Sequence, residues 1–125
     1  MPFEKMENLW IWKESTELCH IINELNKEVK GEFELKNQID RSSQSVPANI
    51  SEMFGAYYYE IKKQSLRIAR REAYETINHI DKFKSRKLWS YDICDKLTGR
   101  YKKVIFGINK YIKYLKNKKN DSIEK

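Results

Sequence analysis

The sequence has few of the residues that turn or break a chain. Its 125 residues include only four glycines and two prolines, Pro2 and Pro47. Because strands joined by tight turns need many such residues, this scarcity argues against an all-β fold. Alternating polar and apolar runs of useful length are also lacking. The chain is therefore predicted to form a few long helices.

Other absences limit the class of protein. No apolar run approaches the roughly 20 residues that span a bilayer, and residues 1–8 lack the basic and then apolar layout of a secretory signal. Cys19 and Cys94 show no CxxC spacing, which is typical of free thiols in a reducing compartment. We therefore expect a cytoplasmic protein. Neither a glycine-rich phosphate loop nor a nucleophile with an arranged base is present, so no catalytic residue and no cofactor is predicted.

The charge is distributed unevenly along the chain. The net charge is +7, but residues 1–40 contain five lysines against nine acidic residues, a balance of −4, which leaves +11 for the remainder. A basic body suits a polyanion such as RNA or DNA. It also suits a second copy of the chain, whose acidic first segment would meet this basic body. The charge thus allows both partners: a homo-oligomer is expected and RNA or DNA is possible, whereas a small-molecule substrate and a membrane are not expected.

Apolar residues at three- and four-residue steps mark four amphipathic helices. The predicted order is an antiparallel up-down-up-down bundle in a single domain of residues 1–125, because short connections place consecutive helices side by side. Asn8 and Ser90 are predicted N-caps, and Gly31 and Gly55 are predicted to end helices. The predicted helices span about 8–30, 34–54, 58–84 and 91–117, followed by a frayed lysine-rich tail at 118–125.

Pro47 lies inside the stripe of apolar residues that marks the second predicted helix. A proline there removes one backbone hydrogen bond and clashes with the carbonyl of Ser43, at a cost of about 3 kcal/mol or more. One interpretation is a kinked helix, in which small residues such as Ala48 let a neighbouring helix approach and nearby serines bond the freed carbonyls. The other is a new helix that begins at Pro47, with Ser45 as its N-cap and its first turn open to an anion.

Three stretches carry a family resemblance. "QIDRSSQSVPANISE" (residues 38–52), "LRIARREAYET" (66–76) and "LWIW" (9–12) together resemble the fingerprint of the 23S rRNA-intervening-sequence proteins, a family of four-helix bundles. The chain resembles a divergent branch, since many relatives have Glu-Gly at 52–53 and Gly-Ser at 71–72. The resemblance implies a bacterial cytosolic bundle, a homo-oligomer that is a pentamer in some relatives, and no enzymatic activity. It extends remotely to the accessory protein of diversity-generating retroelements, which binds a reverse transcriptase and nucleic acid.

Two basic runs contain no acidic residue, residues 61–71 and residues 100–119. Such faces can neutralise several phosphates of a nucleic acid, although a solvated face or a protein interface gives the same pattern. The predicted nucleic-acid-binding residues are Lys62, Lys63, Arg67, Arg70, Arg71, Arg100, Lys103, Lys110 and Lys113.

Tyr57, Tyr58 and Tyr59 precede the third helix. Their rings suit either base stacking or a contact between subunits, and we expect the subunit contact.

Several polar residues near the stripes are predicted to be structural. Glu52, Glu72 and Glu75 are expected to pair with Arg41 or Arg70, or to accept hydrogen bonds from Asn49 across the bundle. Glu72, Glu75 and His79 are spaced like metal ligands, but di-iron bundles need Glu-x-x-His on each of two helices, so no metal is predicted. The predicted structural polar set, with Pro47 among it, is Arg41, Ser45, Pro47, Asn49, Glu52, Glu72 and Glu75.

Overall fold

Four long helices make up the described part of the chain. The computed structural model describes the backbone of residues 9–124 and the side chains of residues 9–118. The helices are α1 (Trp10–Lys27), α2 (Phe33–Gly55), α3 (Tyr59–Ser85) and α4 (Tyr91–Glu124). Residues 9–124 contain no strand, and none of their helices combines the length and apolar character needed to cross a membrane. The prediction of an all-helical fold with four helices is confirmed.

The helix ends follow signals that the sequence carries. The Ser90 hydroxyl accepts a hydrogen bond from the backbone N–H of Ile93 at 3.2 Å, which confirms Ser90 as the N-cap of α4. Gly55 is the last residue of α2. Gly31 adopts a φ of +70° in the loop between α1 and α2, a conformation that glycine tolerates best. The other predicted N-cap, Asn8, lies outside the described residues.

The fourth helix is longer than the sequence predicted. It continues to Glu124, whereas its apolar stripe ends near residue 117 and a frayed tail was expected there. Residues 117–124 contain neither glycine nor proline, so nothing in their backbone stops a helix that is already nucleated. The stripe predicts only the part of α4 that packs against the other helices.

The helices form one bundle around a shared core. Each helix packs against the next in the chain, and α1 also packs against α4. Every helix contributes fully buried aliphatic side chains, among them Ile22, Ile39, Ile80 and Ile108. Between α3 and α4, Arg70 bonds Asn109 whereas the later Lys84 bonds the earlier Asp95, the order given by two helices that run in opposite directions.

The second helix passes through Pro47 without interruption. The alternative prediction, a new helix that begins at Pro47 with Ser45 as its N-cap, is therefore wrong. Proline supplies no N–H to the Ser43 carbonyl. The Ser43 hydroxyl donates to the Asp40 carbonyl at 3.2 Å, so it does not replace that missing donor as the sequence suggested. The kink itself stays a prediction.

Small residues do bring α2 and α3 together, but only some of those expected. Ser42 and Ser43 are buried, whereas Ala48 is exposed and admits no neighbouring helix. The Thr76 hydroxyl lies 2.8 Å from the Ser42 hydroxyl and 2.8 Å from the Glu72 carbonyl oxygen. This short polar contact between Thr76 and Ser42 holds α2 and α3 close together at that position.

Candidate functional site

The outer face of α4 is basic and carries exposed aromatic rings. No acidic residue occurs between residues 96 and 118. Phe106 is 65% exposed and Tyr114 is 51% exposed, although aromatic side chains are usually buried. The Lys110 ammonium lies 5.4 Å from the centroid of the Phe106 ring. The basic surface, as we name it, consists of six exposed residues: Lys102, Lys103, Phe106, Lys110, Lys113 and Tyr114.

The structure places three of the four predicted α4 residues on this surface. Lys103, Lys110 and Lys113 are exposed, as predicted. Lys102 and the two aromatic residues were not in the predicted set. Their exposure could have been inferred from their helical angle, because they lie opposite the apolar stripe of α4.

Arg100 does not belong to the basic surface, which corrects its predicted outward position. Its guanidinium donates two hydrogen bonds to the Glu14 carboxylate of α1, at 2.9 and 2.7 Å, and lies 3.3 Å from Glu17. The hydrogen bonds from Arg100 lower the pKa of the Glu14 carboxyl. Arg100 therefore joins α1 to α4, and its charge is already used within the chain.

The first turn of α3 also differs from the prediction. The Lys62 ammonium donates to the backbone carbonyls of Met53 and Phe54, at 3.0 and 3.4 Å, at the carboxyl end of α2. Burial lowers the pKa of the Lys62 ammonium. Lys63 is buried and forms an ion pair with Glu60 at 2.9 Å. Both lysines have local structural roles, because the end of α2 lies directly beside the start of α3.

The three arginines of α3 keep part of their charge at the surface. Arg67 and Arg71 are exposed. Arg70 is half-buried and donates to the Asn109 side chain of α4 at 2.6 Å. Arg70 contacts α4, and Arg67 lies about one turn before it on α3. This part of α3 therefore lies next to the outer face of α4. The arginines extend the positive charge of the basic surface onto the neighbouring helix.

The three consecutive tyrosines divide between core and surface. Tyr59 is half-buried and packs against the core. Tyr57 is 87% exposed and Tyr58 is 65% exposed, and their rings meet edge to face with 5.0 Å between centroids. This division was expected of a subunit contact, which stays a prediction.

A polar cleft opens between α2 and α3 on another part of the bundle. Its volume is about 410 Å³. The side chains of α2 line one wall and those of α3 line the other. The polar cleft consists of Gln38, Arg41, Ser42, Ser45, Glu72, Glu75 and His79. Four of the fifteen residues of the stretch 38–52, which carries the family resemblance, therefore line this cleft.

Two carboxyl groups lie together in the cleft. Burial raises the pKa of the Glu72 carboxyl, and the hydrogen bond and negative charge of Glu75 raise it further. Arg71 lowers it, but the Arg71 guanidinium is 3.6 Å away and its side chain is 70% exposed. Ionisation of Glu72 is unfavourable in such contact, because it places like charges side by side.

The predicted partners of these carboxylates are wrong. Within residues 9–118, no ion pair joins Arg41 or Arg70 to Glu72 or Glu75. Asn49 does not reach across the bundle, because its amide donates to the Ser45 carbonyl and hydroxyl on the same helix, at 2.8 and 3.0 Å.

Glu52 is not part of the polar cleft. It is exposed and lines a separate shallow pocket with Ser51, Gly55 and Ala56. Helical periodicity places a residue near a stripe, but it does not say which neighbouring helix that residue faces.

His79 is the most deeply placed titratable residue of the cleft. It is 7% exposed, and its Nδ1 atom is buried with no hydrogen-bond partner among the described residues. Burial lowers the pKa of the His79 imidazole and the charge of Lys82 lowers it further, whereas Glu75 opposes both. Sequence reasoning considered His79 only as a metal ligand. Residues 9–118 contain no group of three histidine, cysteine or acidic side chains placed to hold a metal ion.

The fold and its surfaces define a small four-helix bundle with a basic outer helix and a polar cleft. The family model for the 23S rRNA-intervening sequence protein matches residues 7–110. The chain belongs to this family, which confirms the resemblance seen in the sequence. No curated protein matches the chain significantly.

A solved structure supports the fold. It is a protein of unknown function from the S23 ribosomal protein family of Bacteroides thetaiotaomicron VPI-5482. The TM-score is 0.77 and the sequence identity is 23%, over 87% of this chain and 99% of that one. At this identity the similarity concerns the fold alone.

Proposed function

We propose that this chain is a non-enzymatic, oligomeric four-helix bundle of the cytoplasm that binds nucleic acid, RNA foremost, through the basic surface of α4. One observation carries the proposal. Four exposed lysines and two exposed aromatic rings share the outer face of a helix that has no acidic residue between residues 96 and 118. Surface helices usually mix charges of both signs, so a face of one sign favours a polyanionic partner.

The composition of the surface favours RNA with unpaired bases. Lysine ammonium groups bind phosphates as point charges and release counterions, which gives affinity without sequence preference. The exposed rings of Phe106 and Tyr114 offer flat apolar faces on which unpaired bases can stack, worth about 1–3 kcal/mol per base. Arg67 and Arg71 on the adjoining helix add guanidinium groups that can contact phosphate with two parallel hydrogen bonds.

Salt dependence tests the role of the lysines. Fluorescence anisotropy is measured with an RNA hairpin that has an unpaired loop, between about 50 and 200 mM salt. We expect the triple variant K103A/K110A/K113A to reduce the slope of log K against log[salt] by about 2–3, since each lost phosphate contact removes about 0.7–0.9.

The control carries the same change of charge at the end of the bundle. Lys27, Lys30 and Lys87 are exposed there, and K27A/K30A/K87A is expected to keep the wild-type slope. No binding by the wild type at about 50 mM salt would contradict the proposal. Equal slopes for the two triple variants would also contradict it, because they would show that only net charge matters.

The aromatic rings have a separate test. F106A/Y114A is expected to weaken RNA binding about tenfold or more, because two stacking contacts are lost. The salt slope should stay unchanged, since no phosphate contact is removed. Wild-type affinity in this variant would remove base stacking from the proposal.

A scaffold that assembles without nucleic acid is the second candidate. Tyr57, Tyr58 and Ile61 form an exposed apolar group at the start of α3, and Ile61 is 52% exposed. Such a group fits an interface between copies. The family resemblance implies a ring, a pentamer in some relatives.

We propose that such a ring forms through the exposed tyrosines and not through the acidic first segment. The acidic first segment was expected to meet the basic body of the next copy. Glu14 and Glu17 pair with Arg100 of the same chain, and Glu32 pairs with Arg86 at 2.7 Å. These carboxylates are engaged internally, so the exposed tyrosines carry the scaffold proposal instead.

Light scattering tests the assembly. We expect a mass above that of one chain at micromolar concentration, and a lower mass for Y57S/Y58S/I61S. Tyr91 is 57% exposed at the opposite end of the bundle, so Y91S serves as the control. A strictly monomeric wild type would overturn the scaffold proposal.

A further inference from the structure

An apolar groove lies on the outside of the boundary between α1 and α4. Its volume is about 420 Å³, and most of its lining is apolar. Ile21 of α1 and Ile93 of α4 line it and are half-buried, and Leu97, which is 3% exposed, lies at the same lining. Gly99 has no side chain there, and a Cβ atom added to it would meet no atom within 4 Å. The groove therefore offers open space to an apolar group.

The lining determines which class of group can fill the groove. Apolar surface gains free energy when a partner removes it from water. A volume of about 420 Å³ lies within the range of sites that hold a drug-sized ligand, so a pair of aromatic side chains fits. Tyrosine suits such a site well, because its ring is apolar and its hydroxyl can stay at the wet rim.

The chain exposes a matching group at the start of α3. The rings of Tyr57 and Tyr58 meet edge to face, and both are mostly exposed, as is half of Ile61. An aromatic side chain can bury about 150–250 Å². Two tyrosines and an isoleucine therefore supply a large share of the roughly 800 Å² that each partner buries in a stable interface.

The tyrosines cannot reach the groove of their own chain. Arg70 of α3 is level with Asn109 of the antiparallel α4. Tyr58 precedes Arg70, and Leu97 precedes Asn109, so the two lie towards opposite ends of the bundle. The separation is roughly 24 helical residues, or about 36 Å along the axis. Tyrosines that fill the groove must come from a second copy.

Charges beside the two surfaces are complementary. At the tyrosines, Lys62 bonds the end of α2 and Lys63 pairs with Glu60. The exposed Glu52, which lines a shallow pocket with Ala56, has no ion pair within residues 9–118. At the groove, Lys103 is exposed and also has no ion pair in that range, whereas the other charged residues of the lining are paired within the chain. A second copy would bring a free carboxylate towards a free ammonium.

We propose that the groove between α1 and α4 binds Tyr57 and Tyr58 of a second copy, so that copies associate head to tail. This inference rests on the scaffold candidate of the proposed function and names the surface that receives its tyrosines. Such a contact is heterologous, because each copy offers tyrosines at one place and a groove at another. Phe106, Lys110 and Lys113 of the basic surface do not line the groove.

Gly99 allows the groove to be filled without disturbing the core. G99E places a long side chain there whose charged end resists burial against aromatic rings. G99A adds only a Cβ atom and is the matched control. Both replace a glycine inside α4 with a better helix former, so both should keep the native circular dichroism spectrum. By light scattering, we expect G99A to keep the wild-type mass and G99E to fall to the mass of one chain. Assembly of G99E at the wild-type mass would overturn the proposal.

Mixing two variants tests the head-to-tail contact directly. G99E keeps its tyrosines and lacks a free groove, whereas Y57S/Y58S/I61S keeps the groove and lacks the tyrosines. Each alone is expected to be monomeric. An equal mixture is expected to form a dimer with one chain of each, because one intact contact remains. If tyrosines instead pack against the tyrosines of a second copy, the mixture contains no such dimer, and the proposal is wrong.

The same measurements separate this inference from the scaffold proposal. A wild type that assembles, loses mass in Y57S/Y58S/I61S and keeps its mass in G99E would support the scaffold and exclude the groove. A strictly monomeric wild type would overturn both. Loss of assembly in G99E, together with the mixed dimer, would establish the groove as the surface that receives the tyrosines.

Discussion

The boundary between α1 and α4 and the cleft between α2 and α3 both contain a half-buried carboxylate, but only at the boundary does a guanidinium bond it with two short hydrogen bonds. At the α1–α4 boundary the guanidinium of Arg100 bonds both oxygens of Glu14, and the pKa of that carboxyl falls. In the polar cleft, Glu72 meets Glu75, and the pKa of Glu72 rises. Ionisation of the carboxyl group is favoured by Arg100 in one place and disfavoured by burial and by Glu75 in the other.

This difference separates an ion pair that stabilises the fold from a pair of carboxyl groups that opposes it. An ion pair with two parallel hydrogen bonds and an exposed edge has all its groups satisfied, so it holds two helices together and needs nothing more. A half-buried carboxyl that has a second carboxyl beside it is expected to cost stability. The polar contact that stabilises the fold is therefore the one at Arg100, and the contact of Glu72 with Glu75 opposes it.

The largest expected effect comes from removing the ion pair of Arg100 with Glu14 between α1 and α4. R100M should lower the free energy of unfolding at pH 7 by about 2–3 kcal/mol, because the Glu14 side chain is only 14% exposed and would be left unpaired. The folded-state pKa of Glu14 is depressed, so this stability is present above the unfolded pKa and is lost as the pH falls through the folded value. Urea denaturation measures it, and the gap between wild type and R100M should shrink in acid.

Lys113 offers the matched control for that experiment. It is an exposed cation on the same helix, and K113M is expected to change stability by less than about 0.5 kcal/mol. A loss in R100M no larger than in K113M would show that the boundary ion pair behaves as an ordinary surface salt bridge.

In the polar cleft, removing a carboxylate is expected to raise the free energy of unfolding. E72Q should raise the free energy of unfolding at neutral pH by about 1 kcal/mol, because it removes the cost of ionising a half-buried carboxyl next to Glu75. The folded-state pKa of Glu72 is raised above its ordinary 4.5, so the wild type loses stability as the pH rises through that window. The benefit of E72Q should therefore vanish below the window. Urea denaturation at several pH values measures it, with E24Q, at an exposed position of α1, as the control.

A smaller loss is expected where a lysine caps a helix. K62M should destabilise the protein by about 0.5–1 kcal/mol, since the Lys62 ammonium bonds two carbonyls at the carboxyl end of α2. The neighbouring Gln64 is exposed on the same helix, and Q64M should be close to neutral. Thermal denaturation compares the two, and an unchanged midpoint in K62M would mean that this cap contributes nothing.

The sequence predicted the helices well because each stripe depends on local spacing. Ile108 and its partners recur at one face of α4, and that period identifies a helix without any knowledge of its neighbours. The end of α4 at Glu124 was not predicted, because the last residues of this helix carry no apolar stripe.

The candidate site was predicted less well because it depends on which helices are adjacent. Arg100 and Lys103 both lie off the apolar stripe, but Arg100 is on the side that faces α1, and only Lys103 faces outward. The contact of Ser42 with Thr76 joins residues that are 34 positions apart. Periodicity along one helix does not carry such information, although the stretch of residues 38–52 correctly marked the family.

The most direct test of the proposed function is a map of RNA contacts by amide shifts at about 50 mM salt. Addition of the RNA hairpin is predicted to shift the amides of the basic surface, Lys102 to Tyr114, with smaller shifts near Arg67 and Arg71. The His79 imidazole should not move, because His79 is buried and lines the cleft between α2 and α3. Shifts that concentrate at the polar cleft, or none at all on α4, would contradict the account.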